Sequence, residues 1–387
     1  MGDVRNQSQA WAIEIEDVEG EYKAPQSASS YLQTLRSGSE LSKSKEAIER
    51  NVFTGSIGQV KPRTGMFAAS GTIACEFRAA STEGGAPEFD KLIKSALGGK
   101  RTLATGATLA GSTTSVLKVT DASLWKSGDI VMIKVAGKFH MSPIILVNET
   151  DDELTLLVPL ADAPEAGTVI SAATVYHAAE VGHDPLSITR YYEKKVRQYM
   201  PGTRVTSMAL SQFATGQTPI LTFGLGGLSF EQDLHTQAHN PSYSEVLPPI
   251  ALSACVFMDG VKTHVNEVSF SLENTLAYKT STCAPNGRIA STIASRRVTG
   301  TLNPYMPDDS VGNFQKFKTD QSFSLFFSAR LPKSTEGEIE NVIAVYIPNC
   351  TITEISDTDA DGLIQESISF AASLGANASP EIFVATI

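Results

Sequence analysis

An internal repeat constrains the fold of this chain more than any other sequence feature. The segment 64–77, TGMFAASGTIACEF, matches 293–306, IASRRVTGTLNPYM, when Gly71 is superposed on Gly300. In both segments one alternate set of residues is mostly small or polar, while the other set is largely apolar. A period of two with a single apolar face predicts a half-buried β-strand in each copy.

Two further matches follow in the same order. A helical pattern with proline near its start and glycines at its end spans 87–97, and a weaker helical pattern spans 313–318. Beyond these, YMPGTRVT at 199–206 resembles YIPNCTIT at 346–353. Short β segments often look alike by chance, but three matches in one order favour duplication of a domain.

The two copies differ in the spacing between the helix and the third match. Phe89 and Pro201 are 112 positions apart, whereas Phe314 and Pro348 are 34 apart, so the first copy has 78 additional residues. A structureless loop of that length is uncommon in a compact domain. Short β runs separated by turn residues occupy 101–178, which predicts a small inserted β-barrel or sandwich.

The sequence therefore predicts a mainly β chain of three parts. The insert interrupts the first of two tandem β domains, each of which contains one short helix. We assign 1–100 and 179–238 to the first β domain, 101–178 to the insert and 245–387 to the second β domain. The chain has 387 residues, a length for which two or three domains are expected.

Composition and charge exclude several classes of protein. A hydrophobic fraction of 42% and a charged fraction of 19% are typical of a globular protein. No apolar run approaches the roughly 18 residues that cross a bilayer, and no secretory signal is visible, so we expect folding in a cytoplasm. The formal net charge of −11 argues against binding to nucleic-acid phosphates. The four scattered cysteines are expected to act as small buried hydrophobes.

The motif search predicts no catalysis, metal site or cofactor. The sequence contains no phosphate loop, no G-x-S-x-G elbow and no H-E-x-x-H zinc helix. His235 and His239 are four residues apart, but Asn240 and Pro241 follow at once, so linker histidines are favoured over metal ligands.

One acidic segment resembles the start of a calcium loop. Asp357, Asp359 and Asp361 precede a correctly placed glycine, but the position that needs a bidentate glutamate holds Ile368. The segment also lies between two predicted strands. An acidic hairpin turn is favoured, because aspartate and glycine suit turns.

Several stretches together resemble those of a known family. They are 12–22, 40–51, 65–77, the helix end at 97–99, and 270–272 with 285–288. In pattern and order these stretches resemble the tail tube proteins of siphophages, over most of the chain outside the insert.

The resemblance implies a ring-shaped assembly. In that family the tube domain is a β-sandwich with a helix and a long loop, and six domains form a ring whose inner strands close a barrel. Because this chain has two such domains, three chains would form a pseudo-sixfold ring, and stacked rings would form a tube. The insert would lie on the outer wall.

The resemblance also implies partners and a location. The expected partners are further copies of the chain and other tail proteins such as the tape measure, terminator and distal tail proteins. Phage DNA would pass through the lumen without specific binding, since a neutral to negative wall repels phosphates. The expected location is the virion tail, after assembly in the bacterial host cytoplasm.

The polar sides of the repeated strands supply the candidate functional residues. These side chains are predicted to face either the lumen or a ring neighbour, and they are Ser70, Thr72, Thr299, Thr301 and Asn303.

Two alternatives remain open. A distal tail ring, a baseplate ring or a secretion-system tube would form the same kind of β-barrel ring, so the sequence does not separate them from a tail tube. A carbohydrate-binding or carbohydrate-cleaving β protein is less favoured, because Trp11 and Trp125 are the only tryptophans and neither lies in an aromatic cluster with paired carboxylates.

Overall fold

The chain is mainly β, as its alternating patterns predict. The computed structural model describes residues 8–58, 60–193, 195–251, 254–284, 286–306, 311–332, 339–360, 362–375 and 379–387. Within them are 24 strands and two α-helices.

The elements fall into three groups along the chain. The first group is β1 (Gln9–Ile15), β2 (Tyr31–Leu32), β3 (Glu40–Ile48), β4 (Arg63–Glu76), α1 (Asp90–Leu97) and β5 (Gly98–Leu103). The second is β6 (Gly106–Ala107), β7 (Val116–Lys118), β8 (Ile130–Val135), β9 (Lys138–Asn148), β10 (Glu153–Leu156) and β11 (Val169–Ile170). The first group then resumes with β12 (Ala173–Ala178), β13 (Leu186–Tyr192), β14 (Val196–Ala214), β15 (Ile220–Gly227) and β16 (Glu231–Leu234).

The third group completes the chain. It is β17 (Cys255–Met258), β18 (Val261–Thr263), β19 (Val265–Thr280), β20 (Arg288–Pro304), α2 (Gly312–Lys318), β21 (Phe323–Pro332), β22 (Ile339–Ala360), β23 (Leu363–Ala372) and β24 (Phe383–Thr386). Single-turn 3-10 helices occur at Ala28–Ser30 and Ala122–Leu124.

An eight-stranded sheet forms one face of the molecule. We call it the front sheet, and its order is β3–β4–β15–β14–β19–β20–β23–β22. All of its neighbouring strands are antiparallel. Its two middle strands, β14 and β19, come from different halves of the chain.

A second layer lies behind the front sheet. We call it the back layer, and it consists of two strand rows, β2–β1–β13–β14–β16 and β5–β12–β24–β22–β21–β17–β18. The long strands β14 and β22 run through both layers. Apolar side chains from both layers form the first core, which includes Ile73, Phe223 and Leu272 of the front sheet and Ile188 and Val345 of the back layer.

The insert packs on the other side of the back layer. Its six strands form a separate sheet in the order β6–β11–β8–β9–β10–β7, which places β structure where the short β runs of 101–178 predict it. A second core joins this sheet to back-layer residues such as Phe326, Tyr346 and Phe383. Because side chains of β22 alternate between the two cores, the layers run front sheet, first core, back layer, second core, insert.

The segment predicted as an insert contributes to two sheets. Residues 106–170 form the six-stranded sheet, whereas β5 and β12 pair with each other and β12 also pairs with the carboxy-terminal strand β24. The paired strands β5 and β12 thus form a stem that enters and leaves the insert from the back layer.

The two predicted helices are present but differ in burial. In α1 the apolar side chains Leu92, Ile93 and Leu97 are buried, and Gly98 ends the helix with φ +86°, donating its N–H to Lys94. Helix α2 has no buried residue, and Phe314 remains 51% exposed. The helix with the stronger apolar pattern is therefore the one that enters the first core.

The cysteines correct one expectation. Cys75 and Cys350 are buried as predicted, but Cys255 is half-buried and Cys283 is exposed in the turn between β19 and β20. All four are free thiols.

Candidate functional site

The strand pairings of the two halves correspond one to one. Seven pairings among β1–β4 and β13–β16 each have a counterpart among β17–β24. The front sheet and the back layer contain three further strand pairings that lack a counterpart, and these are β5–β12, β12–β24 and β14–β19. The first two involve the stem of the insert, and the third joins the two halves.

Corresponding strands also share their irregularities. The register of β14 against β15 shifts between Val205 and Ser207, and that of β22 against β23 shifts between Ile352 and Glu354. The separation from Val205 to Ile352 is the same as that from Pro201 to Pro348 in the repeated sequence.

The repeated glycines occupy equivalent places in the front sheet. Gly71 of β4 pairs with Leu225 of β15, and Gly300 of β20 pairs with Phe370 of β23. A Cβ atom on Gly300 would lie 2.4 Å from the Phe370 ring, so the close approach of this aromatic side chain requires glycine there.

The junction between the halves is a continuous, largely apolar strand pairing. Met208 of β14 pairs with Leu272 of β19, and Leu210 pairs with Phe270. All four side chains are buried in the first core. This burial removes apolar surface from water and fixes the register, because a slip of one residue would expose these side chains.

Polar contacts reinforce the junction. Glu19 accepts hydrogen bonds from the backbone N–H of Ser291 (2.7 Å) and from Arg204 (2.9 Å), while Arg204 donates to the Ser291 carbonyl (2.9 Å). Charge-assisted hydrogen bonds of this kind are stronger than neutral ones. They connect a loop of the first half, a strand of the first half and a strand of the second.

The two outer edges of the front sheet have no strand partner in the described residues. Strand β3 pairs with β4 alone, and the part of β22 from residue 351 onward pairs with β23 alone. Their side chains are mostly exposed, in contrast to those of β14 and β19. An unpaired edge of this length is a template for pairing with another chain.

The candidate residues lie on the front sheet with their side chains directed away from the first core. Ser70 and Thr301 are exposed, and Thr72 and Thr299 are half-buried, while their neighbours Ala69, Ile73, Val298 and Leu302 are buried. Thr301 shares a hydrogen bond of 2.7 Å with Ser269 of the adjacent strand. Whether this face lines a lumen stays a prediction.

Asn303 differs from the other candidates. It is half-buried, its Oδ1 has no hydrogen-bond partner, and its backbone carbonyl accepts a hydrogen bond from Gln365 (3.1 Å). It lies where the strand ends, beside the isolated bridge between Tyr305 and Gln365.

The sequence analysis missed two carboxylates on the same face. Glu273 of β19 is exposed and lies opposite both Ser207 and Arg297. Glu354 of β22 is exposed and lies opposite Ser369. Glu354 occupies the position of Ser207 when the two halves are superposed. The sequence could have placed Glu354 on this face only if the strand partners had been known.

The calcium-like segment is part of a hairpin. Asp357 and Asp359 pair with Glu366 and Ile364 across β22 and β23, and the N–H of Gly362 donates to Asp359 (2.9 Å), while Asp361 lies outside the described residues. His235 and His239 lie beyond β16 and not on a helix. In the described part of the chain, no group of three or more histidine, cysteine or carboxylate side chains could hold a metal ion.

The insert is fixed by close packing and by a buried carboxylate. Gly128 has φ +93°, and a Cβ atom there would lie 2.0 Å from the Phe383 ring of β24. Asp129 is buried, pairs with Arg101 of the stem (2.8 Å) and accepts the N–H of Lys126 (2.7 Å). Burial raises the pKa of this carboxyl to about 6 despite those contacts.

Neither helix in the described residues is long and apolar enough to cross a membrane. In a comparison with protein families, the model described as phage tail tube protein matches residues 6–372. A search of the curated proteins found no match.

Proposed function

The chain belongs to the phage tail tube protein family, and we propose that three copies form one ring of the tube of a siphophage tail. The family is structural and is not known as an enzyme family, so the chain is a virion tail component that assembles with copies of itself. The proposal adds the number of chains, the duplicated domain and the passage of DNA.

The matched strand pairings support a duplicated tube domain. A chance resemblance of two sandwiches would not require the same seven pairings, the same register shift and glycine at the same place. If the family ring contains six domains, two domains per chain require three chains. The β14–β19 junction would then alternate with a chain-to-chain junction around the ring.

The unpaired edges carry this proposal. Each front sheet has an even number of antiparallel strands, so β3 and β22 run in opposite directions and can pair antiparallel between neighbouring chains. Such a contact is heterologous, and heterologous contacts close into rings when the rotation fits. Closure would leave no sheet edge free to aggregate.

The polar front face suits the wall of a DNA conduit. Its small hydroxyl side chains offer little to grip a duplex, and Glu354 would repel phosphates, while the charge of Glu273 is offset by Arg297 opposite it. Exposed acidic residues also keep a protein soluble, which would by itself account for their presence. A position on the lumen explains in addition why these carboxylates lie on the side of the front sheet that faces away from the first core.

The layer order supports placing the insert outside the tube. The front sheet and the insert lie on opposite sides of the back layer, with one core between each pair of layers. If the front sheet faces the lumen, the insert must face outward. Domain limits of 1–100 with 179–238, 101–178 and 245–387 remain our assignment.

Ring stacking needs a further surface. The tip between β3 and β4 carries Phe53 and Ile57, both fully exposed, with Val52 half exposed beside them. Apolar side chains that are exposed side by side commonly mark an interaction site. We assign them to contact with the next ring. Tape measure, terminator and distal tail proteins would occupy the lumen and tube ends, with assembly in the host cytoplasm.

Electron microscopy of the purified protein tests the proposal. We expect long regular tubes whose rings contain three chains and six similar lobes, counted in a cryo-EM reconstruction. Single rings without tubes would indicate another ring-forming tail component. Rings of six chains would contradict the duplicated domain.

A further inference from the structure

We infer that ring closure has one fixed register, Ser356 opposite Ser42 of the next chain, and that opposite charges on the two edges select it. The inference rests on the proposed ring, and its partner is a second copy of this chain. The β14–β19 junction within the chain is the template, because β22 corresponds to β14 and β3 corresponds to β19.

The correspondence of β3 with β19 follows from their partners. Leu41 pairs with Gly71, and Phe270 pairs with Gly300, so Leu41 takes the place of Phe270. Ser42 then takes the place of Ser271, since neither hairpin has a bulge between these positions.

The correspondence of β22 with β14 follows from the shared register shift. Ser207 and Glu354 each come directly after the shift, so Ser356 takes the place of Ala209. Ala209 pairs with Ser271 inside the chain. The equivalent pair between chains is Ser356 with Ser42, and both side chains are exposed in the single chain.

The edges differ from the template in charge. Inside the chain, Leu210 and Leu272 lie diagonally across the junction and are buried. Their counterparts between chains are Asp357 and Lys43, both exposed. Diagonal neighbours on one face of an antiparallel pair are within reach of long side chains, so this position would hold an ion pair where the template has an apolar contact.

A second basic residue strengthens the match. Lys45 takes the place of Asn274, whose Nδ2 donates to the carbonyls of Ala96 and Val205 across the template junction. A lysine ammonium is likewise a hydrogen-bond donor. Lys45 would therefore donate to the carbonyl of Ile352, the counterpart of Val205.

The charges also disfavour wrong pairings. If the β3 edges of two chains paired with each other, Lys43 and Lys45 of one chain would face the same lysines of the other. If two β22 edges paired, Asp357 and Asp359 of one chain would face the same aspartates of the other. Like charges across a strand pair are destabilising. The edges thus favour head-to-tail closure over symmetric dimers, and this selection should weaken as salt screens the charges.

A disulfide experiment measures the register. With Cys255 and Cys283 replaced by serine, the variant Ser42→Cys/Ser356→Cys should cross-link into covalent two-chain and three-chain species. The shifted variant Ser42→Cys/Thr358→Cys should not, since a shift of two residues separates the side chains by about 7–8 Å. The intrachain pair Ala209→Cys/Ser271→Cys is the positive control for geometry.

The outcomes separate the register from the proposed function. Tubes in the electron microscope together with cross-linking of the shifted pair, or of neither pair, would overturn the register and leave the tube. Closed three-chain species without tubes would support the register and contradict the tube. Absence of both rings and cross-links would contradict both.

Charge reversal tests the selection. Lys43→Glu and Asp357→Lys should each lower the yield of rings at low salt by at least about fivefold, and the double variant should restore it. Lys262→Glu, an exposed charge on β18 away from both edges, is the control and should not change the yield. Equal yields for all variants would overturn the role of charge.

Discussion

The side-chain Nδ2 of Asn274 donates a hydrogen bond to the backbone carbonyl of Ala96 across 2.9 Å. Asn274 belongs to the second half of the chain and Ala96 to helix α1 of the first. The same nitrogen donates to Val205 at 3.1 Å, and the side chain is buried. One amide thus connects β19 to a helix and a strand of the other half.

Replacing Asn274 by alanine should destabilise the chain by about 1–3 kcal/mol, because two buried carbonyls would lose a donor. The free energy of unfolding from denaturant titration, at protein concentrations that keep the chain monomeric, measures the change. Thr275→Ala is the control, since Thr275 is the exposed neighbour on the same strand, and its effect should stay within about 0.5 kcal/mol. Equal stability of the two variants would contradict the role assigned to Asn274.

Local patterning predicted the repeated elements well. The strands around Gly71 and Gly300, both helices and the strands of the insert occur where period two and period 3.6 indicate them. The match of Pro201 with Pro348 also reflects corresponding strands, which share a register shift. These features depend on residues close together in sequence.

Long-range pairings were not predicted. The β14–β19 junction and the position of β24 between β12 and β22 join segments far apart in the chain, and periodicity carries no information on which edges meet. The sequence does contain part of the information on the edge charges. When the β3–β4 and β19–β20 hairpins are superposed, Lys43 falls at the position of the buried Leu272. A lysine at that position indicates that β3, unlike β19, is exposed in the single chain.

The packing of the insert against β24 predicts a difference between two glycines. Gly128 and Gly137 both have positive φ, +93° and +75°, but a Cβ atom on Gly137 meets nothing within 4 Å. Gly137→Ala should cost about 1 kcal/mol from backbone strain alone. Gly128→Ala should cost about 2–4 kcal/mol, since its methyl group would also overlap the Phe383 ring.

Thermal or denaturant unfolding of both variants measures this difference. Because the strain is common to both, the excess for Gly128 reports the contact between the insert and the carboxy-terminal strand. An equal loss of unfolding free energy in the two variants would mean that Gly128 of the insert makes no close contact with β24.

The exposed tip between β3 and β4 predicts a separation of ring formation from stacking. Phe53→Ser/Ile57→Ser should leave three-chain rings intact and abolish tubes, because the apolar surface assigned to the next ring is removed. Sedimentation velocity and electron microscopy distinguish the two states.

Leu146→Ser is the matched control for that experiment. Leu146 is also an exposed apolar residue, 59% accessible, but it lies in the insert that we place on the outer wall. Tubes should form normally with this change. Loss of tubes with Leu146→Ser, or normal tubes with the tip variant, would contradict the assigned stacking surface.

The buried Asp129 predicts a pH-dependent stability. Burial raises the pKa of its carboxyl from 3.8 to about 6, so the folded chain holds this proton more tightly than the unfolded chain. Its contribution to the free energy of unfolding is therefore fully present below about pH 4 and is lost as the pH rises through about 6. Relative to Asp129→Asn, the wild-type chain should lose about 2–3 kcal/mol between about pH 4 and pH 7.

Urea unfolding of both proteins across this range measures the effect, followed by circular dichroism. Glu165→Gln is the control, since Glu165 is an exposed carboxylate of the same insert, and the pH-dependent change for Asp129→Asn should exceed the change for this variant. The sign is decisive, because the ion pair with Arg101 acts against burial. If the wild-type chain instead gains stability over the variant as the pH rises, the ion pair with Arg101 outweighs burial, and the folded chain lowers rather than raises the pKa of Asp129.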